Sequence, residues 1–158
     1  MAVHQTEESM RIEALREYIE VAEYCINFDK SKTWPGFQGC YGYPAALLLL
    51  SIVDSIGKEI KGGGDDVFIH FNILNDPDWY SLNLSETQLK RLVRGFRHKL
   101  SHESYISKFL VLDIGSDESP VLDEMGSTIT LYLKPFLDVS KKIVQKITSE
   151  HWKLELAK

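Results

Sequence analysis

The residues best suited to take part in a reaction lie in one short stretch, residues 89–102, which has the sequence LKRLVRGFRHKLSH. It holds five basic residues, two histidines and no acid, although the whole chain has a formal net charge of -5. Histidine exchanges protons near neutral pH, and arginine can hold a phosphate through paired hydrogen bonds. The stretch therefore predicts a site for a phosphate-bearing ligand.

The spacing of this stretch is typical of one amphipathic helix. His98 and His102 are four residues apart, so they share a face, with Arg94 one turn before His98. Arg97 lies at the flank between the apolar and basic sides. The opposite face is predicted to be buried and consists of Leu89, Leu92, Val93, Phe96 and Leu100. We therefore expect the two histidines to point outward.

Other helices must position this one. The pattern predicts a first helix over about 7–28, a second from Pro44 to about Lys61, a short one over 67–74 and a last one from Pro135. Apolar residues surround most of the second helix, so we expect it to be the central one. Ser85 is expected to cap the basic helix, with Gln88 in the capping-box position.

Two β-branched and apolar runs, Phe109–Ile114 and Thr128–Leu133, precede the last helix. They predict a short antiparallel β-hairpin, inserted at about 108–133. With 158 residues and no long linker, the chain is expected to be one mainly α domain over 1–158.

Composition limits the kinds of partner. The longest apolar run, Ala45–Leu50, is far too short to span a membrane, and the N-terminal ten residues lack the pattern of a secretory signal. The two cysteines match no disulfide or zinc framework, so a reduced, cytoplasmic location is expected. The net negative charge argues against indiscriminate coating of nucleic acid, because that affinity grows with the number of neutralised phosphates.

The six residues from Arg97 to His102 form the pattern R-H-x-x-x-H. This resembles the R-φ-x-x-x-H signature of HEPN domains, in which φ is usually Asn, Asp or His. HEPN domains are four- to five-helix bundles found in many bacterial toxin, anti-phage and RNA-processing proteins. The order of an apolar helix near 45–60, a later motif helix and a closing helix is also similar to that family, so the resemblance covers most of the chain.

The resemblance implies a four- to five-helix up-down bundle and a metal-independent endoribonuclease without a cofactor. It implies a homodimer in which two motifs meet across a cleft, and a role as a toxin or defence module. RNA would be the substrate, and a cognate antitoxin or nucleotidyltransferase would be a partner.

Cleavage of RNA by its own 2′-hydroxyl needs a base for that proton, an acid for the leaving oxygen and fixed positive charge beside the phosphorus. On this chemistry we expect His102 to act as base or acid and Arg97 to stabilise the phosphate. His98 would be a positioning group or a second acid-base group.

Three more residues are candidates for substrate binding: Arg94, Asp54 and Tyr105. Asp54 lies on a polar stripe of the second helix, where it would either orient a histidine or Arg97, or face solvent or a backbone group. Some HEPN toxins carry a tyrosine two residues after the motif histidine, where a partner nucleotidyltransferase attaches adenylate. Here Ser104 holds that position and Tyr105 follows it. Packing at the helix end is the alternative role for Tyr105.

Other interpretations of the same residues stay open. Basic residues opposite an apolar stripe also occur on any solvated helix face. His98 and His102 have the spacing of two zinc ligands, although no HExxH pattern and no obvious third ligand accompany them. The chain could also be a non-catalytic HEPN-like dimer that binds a nucleotide or a protein, or a helical interaction domain unrelated to that family.

Overall fold

A computed structural model describes residues 6–148. In this part of the chain the fold is mainly helical, with a small three-stranded sheet before the last helix. The ends of the predicted domain, residues 1–5 and 149–158, lie outside the described residues, as does part of the N-terminal segment in which no signal was found.

The second helix, α2 (Gly42–Lys61), is the central one, which confirms the prediction from its apolar sequence. It packs against α1 (Glu7–Asn27), α3 (Val67–Phe71), α6 (Leu133–Lys146) and the helix that carries the motif. Its contacts on several sides leave eight of its residues buried: Ala45, Ala46, Leu49, Leu50, Ile52, Val53, Ile56 and Gly57.

Two helices begin earlier than predicted, and in both cases the proline lies inside the first turn. α2 starts at Gly42, two residues before Pro44, and α6 starts at Leu133, two residues before Pro135. The first four N–H groups of a helix have no partner within it, so a proline costs nothing at these positions. The predicted short helix over 67–74 divides into α3 and a 3₁₀ turn, Asn72–Asn75.

The helix that carries the motif, here called the motif helix, consists of three consecutive segments. These are α4 (Glu86–Arg91), a π-helical segment (Leu92–His98) and α5 (Lys99–Glu103). The predicted capping box is confirmed, since Ser85 Oγ accepts from the Gln88 amide and the Gln88 side chain accepts from the Ser85 amide. The five predicted apolar residues of this helix are all buried: Leu89, Leu92, Val93, Phe96 and Leu100.

The predicted antiparallel hairpin is wrong in its pairing. The two apolar runs form β1 (Leu110–Asp113) and β3 (Thr128–Tyr132), which are parallel neighbours. A third strand, β2 (Leu122–Met125), lies between them in sequence and pairs antiparallel with β3. The chain therefore reverses twice, and the sheet order is β1-β3-β2.

The missed strand β2 lies at an edge of the sheet and is mostly exposed. Its central residues, Asp123 and Glu124, are acidic, so it lacks the apolar alternation by which a half-buried strand is recognised. Without that signal, the two flanking apolar runs are taken for consecutive strands joined by one loop, which implies antiparallel pairing.

Gly57 on α2 allows α3 to approach closely. A Cβ built at this position would lie 2.1 Å from the backbone oxygen of His70 and 2.6 Å from its carbonyl carbon. These are backbone atoms, so no side-chain rotation could relieve the overlap. The absence of a side chain at position 57 therefore sets the distance between α2 and α3.

We predict that Gly57→Ala lowers the free energy of unfolding by about 1–3 kcal/mol, the usual cost of overpacking a buried site. Urea unfolding followed by circular dichroism would measure it. Ser55→Ala is the matched control, because Ser55 is an exposed residue of the same helix. Equal stability of the two variants would contradict the close approach of α3.

Candidate functional site

Asp54 bridges two side chains from different parts of the chain. Its Oδ2 accepts from Arg97 Nη2 at 2.6 Å, and its Oδ1 lies 2.7 Å from His70 Nδ1. The side chains are 18% exposed for Asp54, 25% for Arg97 and only 3% for His70, so solvent weakens these contacts less than it would on an open surface. We call these three residues the Asp54 cluster.

His70 is held from both sides of its ring. Its Nδ1 faces the Asp54 carboxylate, and its Nε2 lies 3.0 Å from the carbonyl oxygen of Gly64. A carbonyl oxygen can only accept, so Nε2 donates to it. The ring thus joins the glycine-rich loop after α2 to the carboxylate that holds Arg97, and fixes the orientation of that carboxylate.

The contact between Asp54 and Arg97 is one of those expected from the sequence. The histidine that Asp54 meets is His70, which the sequence patterns did not identify. The only usable signal was a histidine within an apolar turn, which usually indicates a core residue. Its position beside Asp54 depends on the close approach at Gly57, which a pattern of side chains does not reveal.

Arg97 borders a groove of about 650 Å³ that we call the motif groove. Its other walls include Phe68 from α3 and Arg94 and His98 from the motif helix. Arg97 also borders a neighbouring cavity of about 480 Å³ that reaches Tyr18 and His70. The guanidinium is therefore anchored at one end by Asp54 and lies at the boundary of two open spaces.

One atom of Arg97 is incompletely satisfied. Its Nε is buried and has no hydrogen-bond partner among the described residues. A buried donor without a partner is uncommon in native proteins.

The π-helical segment contributes to the orientation of Arg97. Hydrogen bonds in a π-helix join residues five apart, and such segments often occur at functional sites. Arg97 is five residues after the buried Leu92, so the wider turns bring it closer to the buried side than α-helical spacing would. This agrees with its low exposure and its contact with α2.

His98 and His102 point outward, as the spacing predicts, and both are exposed. Their rings contact each other, with centroids 4.7 Å apart and planes inclined by 50°. His98 lines the motif groove, whereas His102 lines none of the cavities formed by residues 6–148 that we describe. Within one chain the structure therefore brings Arg97 and His98 to a common groove and leaves His102 beside it.

Arg94 and Tyr105 have partners of a different kind. The Arg94 guanidinium lies 5.5 Å from the centre of the Phe68 ring, on the wall of the motif groove. The Tyr105 hydroxyl accepts from Lys99 Nζ at 3.2 Å, and its ring lies under the same ammonium. Tyr105 is 48% exposed, so it packs on the surface of the helix end and not in the core.

Lys99 is already neutralised by Glu103. Their side chains are 2.6 Å apart, and the hydrogen bond from Lys99 lowers the pKa of Glu103. The same bond raises the pKa of Lys99. Arg94, which lies over the Phe68 ring, is therefore the more available cation of the motif groove, whereas Lys99 and Arg97 each face a carboxylate at 2.6 Å.

Comparison with protein-family models, curated proteins and solved structures finds no match for this chain. In the described range, no helix combines the length and apolar character needed to cross a bilayer. Over the same range, no three His, Cys, Asp or Glu side chains are grouped so that they could hold a metal ion.

We predict that Asp54 and Arg97 are energetically coupled. A double-mutant cycle with Asp54→Ala and Arg97→Ala, read by urea unfolding, should give a coupling energy of about 0.5–3 kcal/mol. The matched control pairs Asp54→Ala with Arg94→Ala, because Arg94 contacts Phe68 and not Asp54. The same coupling energy in both cycles would mean that the ion pair between Asp54 and Arg97 does not account for it.

Proposed function

We propose that this protein is a metal-independent endoribonuclease of HEPN type, with a composite site at a homodimer interface. The observation that carries the proposal is the geometry of Arg97. Its guanidinium is fixed by Asp54 at 2.6 Å and borders an open groove that it shares with His98. Fixed positive charge beside an imidazole is what cleavage of a phosphodiester requires.

The proposed reaction uses a nucleophile that RNA itself supplies. A base removes the proton of a ribose 2′-hydroxyl, and the oxygen attacks the adjacent phosphorus. The bond from phosphorus to the 5′-oxygen of the next nucleotide breaks, and an acid protonates that oxygen. The products are a 2′,3′-cyclic phosphate and a new 5′-hydroxyl, so neither water nor metal takes part in this step.

The roles follow from position. Arg97 would stabilise the extra negative charge that develops on the phosphate oxygens. His98, on the wall of the groove, is placed to position the substrate or to serve as one acid-base group. His102 would be the other acid-base group. Because His102 lies outside the motif groove of its own chain, we assign it to the motif groove of a second copy.

We place this activity in a toxin or defence module, with a cognate antitoxin or nucleotidyltransferase as the partner. The support is the R-H-x-x-x-H pattern from Arg97 to His102 on a helix of a mainly α fold. The HEPN bundle itself is part of the same proposal.

A cleavage assay in EDTA tests the reaction. We expect the parent protein to release products that end in 2′,3′-cyclic phosphate. His102→Ala should reduce the rate by about 100-fold or more, the usual contribution of a general acid or base. Arg97→Ala should reduce the cleavage rate by a similar factor, because it removes a preorganised positive charge.

Lys142→Gln is the control, since Lys142 is an exposed cation on α6. Circular dichroism should show that each variant is folded, and Arg97→Lys keeps a cation beside Asp54 if the alanine variant is unstable. Residual cleavage at the same rate in the parent and in all variants would identify a contaminant and refute the assignment.

A non-catalytic dimer that binds a nucleotide or a protein is the second candidate. The observation that favours it is the ion pair itself, because Asp54 already offsets part of the charge of Arg97. In that case RNA or nucleotide would bind without cleavage, and Arg97→Ala would change affinity with no change in any rate.

A mixing experiment tests the composite site. Arg97→Gln and His102→Gln should each be inactive alone. If the site takes Arg97 from one chain and His102 from the other, each mixed dimer contains one complete site. Mixing equal amounts and allowing exchange should therefore restore about a quarter of the parent activity, because half of the dimers are mixed and each has one site of two.

The control for this experiment mixes the His102→Gln protein with a double variant, Arg97→Gln with His102→Gln, which cannot complete a site in any combination. No recovery in either mixture, with dimers present by sedimentation, would refute the shared site.

A further inference from the structure

A second basic groove adjoins the motif groove on the same helix. It has a volume of about 260 Å³ and is bounded by Lys90, Arg91 and Arg94 from the motif helix and by Lys108 from the segment before β1. We call it the side groove. None of the described residues that line it is acidic. In a chain with a net charge of -5, this local excess of cations needs a partner.

The two grooves share a wall. Arg94 and Ser107 border both of them. The Ser107 amide donates to the carbonyl oxygen of Gly95 at 3.2 Å, which ties the segment before β1 to the motif helix. The shared wall means that one extended ligand could contact both grooves without leaving the protein surface.

Gly95 lies directly against the start of β1. A Cβ at position 95 would lie 2.2 Å from Leu110 Cδ1, so a larger residue here would displace the Leu110 side chain. This approach brings Lys108 and Phe109 beside the basic residues of the helix.

The cations of the side groove are not equally available to bind a ligand. Lys90 is paired with Glu86, and Arg91 with Glu124. In the described part of the chain, the charged ends of Arg94 and Lys108 contact only aromatic rings. Lys108 Nζ lies 4.8 Å from the centre of the Phe109 ring. The guanidinium carbon of Arg94 lies 5.5 Å from the centre of the Phe68 ring.

Each of the two pairs joins a cation to a phenylalanine ring. Arg94 and Phe68 both line the motif groove, whereas Lys108 lines the side groove and Phe109 follows it in the chain. Both rings are exposed, at 37% for Phe68 and 51% for Phe109. The backbone of Phe109 is left-handed, with a φ of 65°, which is unfavourable for a bulky residue, and its carbonyl oxygen accepts from the Ile129 amide and from Arg91 Nη2. A basic groove flanked by exposed aromatic rings is typical of surfaces that bind single-stranded nucleic acid.

From this repetition we infer that the side groove is a second nucleotide subsite for single-stranded RNA. A strand with its reacting phosphate at Arg97 in the motif groove crosses the wall at Arg94 and places a neighbouring phosphate beside Lys108. Phe109 stacks on the base of that nucleotide. The inference rests on the proposed function, which supplies the first phosphate.

Binding of short oligonucleotides tests the subsite separately from cleavage. The probes are a dinucleotide with one phosphate and a tetranucleotide with three, both 2′-O-methylated so that no cleavage occurs. The tetranucleotide should bind the parent about fivefold or more tightly than the dinucleotide, given the usual contribution of one stacked base. Lys108→Gln and Phe109→Asn should each remove most of this gain. Asparagine is chosen because it tolerates left-handed backbone, so the second variant keeps the fold.

The salt dependence gives an independent readout. For the tetranucleotide, the slope of log affinity against log salt should fall by about 0.7 in Lys108→Gln, which corresponds to one lost contact with a single-strand phosphate. Lys142→Gln should change neither the affinity nor the slope.

Several results would overturn the subsite. One is an unchanged gain from dinucleotide to tetranucleotide in both variants, and another is an equal loss of that gain in the control variant Lys142→Gln. A third is tighter binding of an acidic hexapeptide than of the tetranucleotide, lost in Lys108→Gln, which would assign the groove to a protein partner. These outcomes differ from failure of the nuclease itself, in which oligonucleotides would bind normally and His102→Ala would leave the cleavage rate unchanged.

Discussion

The carboxylate of Asp54 is the interaction on which the arrangement of this protein's candidate site depends. It accepts a hydrogen bond from Arg97 on the motif helix and lies 2.7 Å from Nδ1 of His70 on α3, and both groups are distant from it in sequence. A partly buried carboxylate without partners is costly, and so is a partly buried guanidinium. Each therefore stabilises the other, and the chain must fold so that three helices meet at this point. The rest of the candidate site is built outward from that meeting point.

This arrangement places the guanidinium and the imidazoles in different environments, whereas on a solvated helix face all of them would be exposed. Arg97 is fixed and half hidden, whereas His98 and His102 are exposed and in contact with each other. A fixed charge stabilises a reacting phosphate without reorganising during the reaction. Exposed imidazoles exchange protons readily and can face another molecule. The geometry of one chain thus supplies a held cation and two exposed imidazoles, but not in one enclosed space.

Local patterns identified much of this fold. The buried faces of α1, α2 and the motif helix follow from their spacing, and the cap at Ser85 follows from residue types alone. The patterns failed where the structure depends on a contact between backbones or on an exposed strand at the edge of the sheet. β2 carries acidic residues that conceal a strand, and the parallel pairing of β1 with β3 follows from that missing strand. His70 was missed because its position depends on Gly57, and the π-helical segment was missed because regular α-helical spacing was assumed throughout the motif.

The close approach at Gly57 has a use beyond this chain. An aspartate, a glycine three residues later and a histidine thirteen residues after that glycine form a spacing that can be sought in any sequence. A chain that keeps the arginine-histidine pattern but has a larger residue at the glycine position would have to orient its aspartate by means other than this histidine. The spacing therefore divides otherwise similar motif helices into two groups, according to whether a histidine supports the carboxylate that holds the arginine.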